Sequence, residues 1–331
     1  LSNALKKAIQ YIAIAAIGAV FIYFVFNGTN FADIYHKMQG ANYRYIAAGM
    51  LVSLVSHYLR ALRAITLYRP LGFTIQTKNS LYAVLVGYMM NYIIPRAGEV
   101  SRCAVLAKTN HMPIEKSLGT VVTERLVDLF ILLLVMLVIF FGRFDLIYGY
   151  ISENLGATQN AEKSWFKPAL AAIFLMVTGV LWFKRKSLAK SPLFNRLLGV
   201  VKGFTEGLLS IKKVQNPILF VVYSVAIWAC YILMMYLCLF GMESTSQLTF
   251  MDCLVVFAMG TIGVVIPAPG AGAGTYHFAV MQALLWFGVP KEDGIAYATM
   301  VHGIQMILLL ALGTLASVLV LVQTRSNKIH A

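Results

Sequence analysis

The sequence predicts an all-α polytopic integral membrane protein, and three observations carry that prediction. Of 331 residues, 60% are hydrophobic and only 12% charged, more apolar surface than a soluble domain can cover. The apolar residues fall in runs close to the ~20 residues that a helix needs to cross a bilayer. The charges that remain are distributed unevenly between the loops joining those runs.

Long runs occupy 8–26, 46–68, 118–141, 168–183, 218–240 and 295–322. They give about six full spans within a single transmembrane domain covering 1–331. Three further runs, 80–94, 252–266 and 275–288, are too short to cross and adjoin breaks rich in Pro and Gly. The first ends at Pro95, and the other two flank Pro267-Ala-Pro-Gly-Ala-Gly-Ala-Gly274. Runs of that length suit re-entrant half-helices, so 80–108 and 252–288 are expected to be helical hairpins entering from opposite faces.

With the N-terminus inside, 18 of the 27 Lys and Arg residues fall on the cytoplasmic side and six outside, with Arg60, Arg63 and Arg125 inside spans. The positive-inside rule then places both termini in the cytoplasm and the protein in the cell (inner) membrane. The net charge of +14 becomes mostly inner-face charge, suited to anionic lipid and not to nucleic acid. Within 184–217, Leu197, Val201, Phe204, Leu208 and Ile211 recur at helical spacing among Arg196, Lys202, Lys212 and Lys213. This reads as a cytoplasmic amphipathic connector, lying on the leaflet or packed on the bundle. Cys103, Cys230, Cys238 and Cys253 show no metal-ligand spacing, so neither metal nor cofactor is expected.

The broken segments resemble each other. Pro95-Arg-Ala-Gly98 can be set beside Pro267-Ala-Pro-Gly270, and Met112-Pro-Ile-Glu115 beside Val289-Pro-Lys-Glu292 at a shift of 177. The same shift carries Arg125 to His302 and Asp128 to Gln305. Halves at roughly 46–141 and 218–322 are therefore expected to form an inverted-topology repeat, with broken helices facing each other near the midplane. Irregular backbone at that depth needs protein or a wet cavity to satisfy it. Pro267 and Pro269 fix the turn, while Gly270, Gly272 and Gly274 permit positive φ and close approach. A half-helix from Thr275 would turn its N-terminal N–H groups towards an anion, with His277 beside it. Replacing Gly272 by Val is expected to block that approach and spare the fold. The alternative is a tight turn between packed helices.

Charged residues at membrane depth are functional candidates unless paired. Arg96, Glu99 and Arg102 follow Pro95, and Glu124, Arg125 and Asp128 open the run at 118–141. Glu124 and Asp128 are like charges at i, i+4 and call for a cation such as Arg96 or Arg102. The carboxylates read as structural or coupling groups, Arg96 and Arg102 as substrate contacts. His57, Arg60 and Arg63 recur every three residues on the second span, and snorkelling accounts for Arg63 and partly for Arg60. His302 reads as a packing or coupling residue.

Pro95-Arg-Ala-Gly-Glu99-Val-Ser-Arg102, Val122-Thr-Glu-Arg-Leu-Val-Asp128 and Pro267-Ala-Pro-Gly270, in this order, resemble the flippase-like membrane domain of lysylphosphatidylglycerol synthases, in its stand-alone form. The resemblance runs from the first span to the last. It implies movement of a lipid, notably aminoacylated phosphatidylglycerol, between leaflets. Arg96, Glu99, Arg102, Glu124, Arg125 and Asp128 would form the core constellation, and Gly270, Gly272 and Gly274 the outer tip. Two departures bear on the headgroup and on coupling: Ala271 separates Gly270 from Gly272, and His277 stands where the family often has glutamate. Only Gln323–Ala331 follow the last span, so no aminoacyl-transferring domain is expected and a separate enzyme would supply such a lipid.

The leading expectation is thus a non-enzymatic lipid translocase for an anionic phospholipid or lipid-linked headgroup. No phosphate-binding loop for a nucleotide occurs. An ion-coupled transporter of a soluble organic anion would use the same repeat, and a lipid-modifying transferase would need convergent catalytic groups.

Overall fold

The computed structural model describes residues 3–143 and 214–329. The expected span at 168–183 and nearly all of the connector at 184–217 lie outside the described residues. The chain divides into two compact units, Leu1–Met136 with Lys212–Ala331, and Leu137–Ile211. Of the second unit, 137–143 are described, as the end of one helix.

Among the described residues all regular structure is helical. The main helices are α1 (Asn3–Phe26), α2 (Phe31–Gln39), α3 (Tyr43–Tyr68), α4 (Thr77–Ile93), α5 (Gly98–Asn110), α6 (Ile114–Gly142), α7 (Pro217–Leu239), α8 (Phe250–Val265), α9 (Thr275–Trp286) and α10 (Lys291–Ile329). Their starts follow local chemistry. Asn42 and Asn216 cap α3 and α7 by accepting from the backbone of Arg44 and Leu219, and Thr249 with Asp252 forms a capping box on α8. Each such cap satisfies a donor that the helix leaves orphaned.

Helices α3, α6, α7 and α10 are long and apolar enough to cross a membrane, and a fifth crossing results if α1 and α2, bent by 81°, count as one. The protein is a multi-pass, all-α membrane protein. By contrast α4, α5, α8 and α9 have 17, 13, 16 and 12 residues. At ~1.5 Å per residue, each falls short of a hydrocarbon core of ~30 Å. Helix α4 packs on α5 and α8 packs on α9, so each pair doubles back as a hairpin.

The order long, short, short, long occurs twice. Helices α3 to α6 begin at 43, 77, 98 and 114, and α7 to α10 at 217, 250, 275 and 291, displacements of 174, 173, 177 and 177.

The two hairpin turns close differently. In the first, the Gly98 N–H donates to Asn91 Oδ1 at 2.7 Å. A Cβ on Gly98 would sit 2.6 Å from that side chain, so only glycine lets α5 approach α4 here. In the second, Gly270, Ala271, Gly272 and Gly274 all have φ between 53° and 96°. The Thr275 hydroxyl lies within bonding reach of the carbonyls of Gly263 (2.7 Å) and Gly272 (3.0 Å), tying the turn to α8. A Cβ on Gly274 would come 2.8 Å from the Gly18 carbonyl oxygen, so α1 seals this tip.

Helix α3 packs along α7. Its first half joins one apolar cluster through Ile46 and Met50, with Ile227, Trp228 and Met235, while Ala64, Ile65 and Tyr68 join another with Val86 and Leu106. Arg60 and Arg63 fall between these stretches.

Candidate functional site

Four arginines and three carboxylates converge where α3, α5, α6 and α7 meet. Arg102 on α5 donates from Nη1 and Nη2 to Glu124 on α6 at 2.7 and 2.9 Å, and from Nη2 to the Tyr68 hydroxyl at 2.8 Å. Arg63 on α3, 0% exposed, donates from Nη1 and Nη2 to Asp128 at 2.7 and 3.2 Å. Its Nη2 also stands 3.7 Å from Glu124 Oε2, which joins the two pairs into one network. Both guanidiniums use parallel donors, the geometry that suits a carboxylate best and fixes its orientation.

Arg60 completes the layer. Its Nη1 donates to Asp128 at 3.3 Å, and its Nε and Nη2 donate to the Tyr231 hydroxyl at 3.2 and 2.7 Å. The guanidinium lies 5.8 Å from the ring centres of both Tyr88 and Tyr231. Helix α7 adds two more groups to the same network: Trp228 Nε1 donates to Asp128 and Ser224 Oγ accepts from Arg63 Nη1, each at 3.3 Å. Buried charges at this depth are retained only where pairing and hydrogen bonds offset their desolvation. Here every carboxylate of the layer has that cover.

A cleft of about 330 Å³, counting its open mouth, adjoins this layer. It is lined by Arg60, Val84, Gly87, Tyr88, Asn91, Gly98, Glu99, Arg102, Val121 and Arg125. Arg60 and Arg102 are buried, whereas Arg125 and Glu99 have side chains 52% and 31% exposed and are joined by a 2.8 Å bond. Arg60, Arg63, Arg102 and Arg125 against Glu99, Glu124 and Asp128 leave the site one positive charge in excess.

Of the residues expected from sequence, Glu99, Arg102, Arg125, Glu124 and Asp128 are brought together here. Glu124 takes Arg102, one of the two cations expected for it, as its partner. Asp128 takes Arg63 and Arg60, which corrects the snorkelling account of both. They face inward because Asp128, 65 positions along the chain from Arg63, waits on the neighbouring helix. Arg96 is exposed with φ 65° and does not line the cleft.

The remaining expected residues assemble elsewhere. Pro95 stands at the first turn and Pro267 and Pro269 at the second, whose tip packs on α1 and α4. Gly270, Gly272, Gly274 and His277 are not among the cleft residues. His277 Nδ1 accepts from the Gly274 N–H at 3.4 Å, so this backbone group is occupied internally. His302 stacks on Tyr276 at 5.0 Å and lies 5.2 Å from His277 and 5.9 Å from Tyr92, centre to centre. Gly272 is buried, and a Cβ there would lie 3.1 Å from Val264 Cα. A valine at 272 would therefore disturb the fold itself, contrary to the expectation from sequence.

Sequence reasoning missed Tyr68, Tyr88, Asn91, Ser224, Trp228 and Tyr231. The signal for three of them was present: Ser224, Trp228 and Tyr231 recur at i, i+4, i+7, a stripe of hydrogen-bonding groups on one face of an otherwise apolar helix.

No curated protein and no solved structure matches the chain. The family model described as lysylphosphatidylglycerol synthase TM region matches residues 11–313, nearly the whole sequence and every helix that builds the cleft. The chain belongs to the lysylphosphatidylglycerol synthase TM region family.

Proposed function

We propose that this protein is a lipid translocase that passes the headgroup of an anionic phospholipid, or of a lipid-linked anion, through the cleft between α3, α4, α5 and α6. The observation that carries the reading is the cleft's charge. A partly buried site with one more guanidinium than carboxylate attracts a single negative charge, and guanidinium donors match phosphate oxygens in geometry.

Lipid is favoured over a soluble anion by the exposed apolar residues that neighbour the cleft residues in sequence: Val100, next to Glu99, and Val122, three positions before Arg125, are 57% and 58% exposed. Such residues suit acyl chains that stay in the bilayer while the head enters. The family's connection with membrane phospholipid supports the same choice. The cell membrane, cytoplasmic termini and an inverted relation between α3–α6 and α7–α10 belong to this proposal. The recurring helix starts support the repeat, and the positive-inside rule supports the orientation. Transport without chemistry is proposed as well, since the buried carboxylates Glu124 and Asp128 are each committed to arginines.

The test is leaflet-specific quenching of labelled phosphatidylglycerol in proteoliposomes. Wild-type protein should accelerate exchange over empty vesicles, and Arg102→Ala should lower the rate at least tenfold per folded molecule. Exchange no faster than in empty vesicles, with or without an imposed proton or sodium gradient, would overturn the reading.

A further inference from the structure

The three ion pairs of the charged layer are not equivalent. Arg102–Glu124 and Arg63–Asp128 are buried, two-donor pairs braced by Tyr68, Ser224 and Trp228. Arg125–Glu99 is a single 2.8 Å bond between half-exposed side chains at the edge of the cleft. A lone exposed pair is worth roughly 0–1 kcal/mol and is readily exchanged for another partner. Arg60, which also lines the cleft, shares Asp128 with Arg63, which already holds both its oxygens. Its Nη1 and Nη2 each make one bond, and each nitrogen carries two hydrogens. Arg60 is thus the surplus cation with donors to spare, and Arg125 is the cation whose carboxylate is easiest to remove.

We infer that Arg60 and Arg125 form an anion clamp for a phosphate ester, and that Glu99 is a built-in competitor occupying Arg125 until the phosphate displaces it. This rests on the cleft being the headgroup site and adds how the site is kept closed and what opens it. Without a bound phosphate, Glu99 neutralises Arg125. An entering phosphate takes over the Arg125 donor, and Glu99 turns out towards the exposed side that it already half occupies. Glu99 therefore lowers affinity. A residue that contacted the ligand productively would raise it.

The sign of that effect is the test. Binding of a short-chain, water-soluble phosphatidylglycerol and of glycerol 3-phosphate to the detergent-purified full chain is measured by calorimetry. Glu99→Gln should tighten binding about two- to fivefold, the range set by losing one exposed pair. Arg125→Gln and Arg60→Gln should each weaken it about tenfold, the scale of one charge-assisted bond. In the Arg125→Gln background the gain from Glu99→Gln should shrink to under about twofold, because the competitor then has nothing to hold. Binding by the short-chain lipid alone identifies a lipid headgroup, and equal binding by glycerol 3-phosphate identifies the phosphate ester as sufficient; both support the clamp. Weaker or unchanged binding in Glu99→Gln overturns the competitor role, as does a gain that survives the loss of Arg125. Absence of binding by either ligand overturns the clamp. Because binding is read without transport, a confirmed clamp in a protein that fails the vesicle assay would sink the translocase reading and leave the site standing.

Discussion

Set side by side on their helix starts, α3–α6 and α7–α10 carry different chemistry at matching positions. The shift of 177 carries Glu99 to Tyr276, Arg102 to Ala279, Glu124 to Val301, Arg125 to His302 and Asp128 to Gln305. The shift of 174 carries Arg60 to Met234 and Arg63 to Leu237. One half holds its hairpin with ion pairs and leaves a cleft beside them. The other closes its turn with the Thr275 hydroxyl, the contact of Gly274 with α1, and stacked rings of Tyr276 and His302. The same order of long and short helices is thus stabilised by charge in one place and by close contact in the other. The halves are not independent, because Ser224, Trp228 and Tyr231 on α7 complete the network around Arg60, Arg63 and Asp128.

The largest effect should come from breaking the charged half. Asp128→Ala leaves Arg63 buried without its carboxylate and removes an acceptor from Arg60. An uncompensated buried charge costs about 3–5 kcal/mol. The loss should appear in thermal unfolding of the detergent-solubilised protein. Gln305→Ala at the matching position should cost under about 1 kcal/mol, since no ion pair depends on it. Equal losses would mean that the halves do not divide the work as described.

Next comes the tip of the second hairpin. Gly274→Ala places a Cβ at φ 88° and 2.8 Å from the Gly18 carbonyl. Backbone strain of this kind costs about 1–3 kcal/mol, again read by unfolding temperature. A smaller loss, about 0.5–1.5 kcal/mol, should follow Thr275→Val, which keeps the shape and removes the hydroxyl that ties the turn to α8. If Thr275→Val instead stopped transport in vesicles with stability unchanged, the second turn would belong to the substrate path.

How much of this was legible in the sequence depends on range. The broken helices at Pro95 and Pro267, the short arms and the need of Glu124 for a cation such as Arg96 or Arg102 follow from local spacing and from the cost of unpaired charge. The partners of Arg60 and Arg63 do not, because Asp128 and Tyr231 reach them from helices whose relative rotation no periodicity specifies. Snorkelling was the natural reading for an arginine near the end of a span. What decides against it is the facing helix. The second tip shows the same limit: glycines that permit an anion to approach also permit another helix to approach, and here Gly18 of α1 is what arrives.

The smallest predicted effect sharpens the site most. Arg96 lies within three residues of Glu99 in the sequence motif, yet it is exposed, in the left-handed region at φ 65°, and outside the cleft lining. Arg96→Gly should leave stability unchanged or raise it by up to about 1 kcal/mol, since glycine tolerates that backbone and the lost charge was solvated. Lipid exchange per folded molecule should stay within about twofold of wild type, a change smaller than one exposed ion pair. Arg102→Ala, six residues along, should reduce it at least tenfold, because Glu124 loses its two-donor partner and the cleft loses a cation. The two variants carry the same change in net charge, so a general electrostatic effect on anionic lipid would slow both alike. Matching losses in the vesicle assay would therefore mean that net charge, and not the cleft, sets the rate.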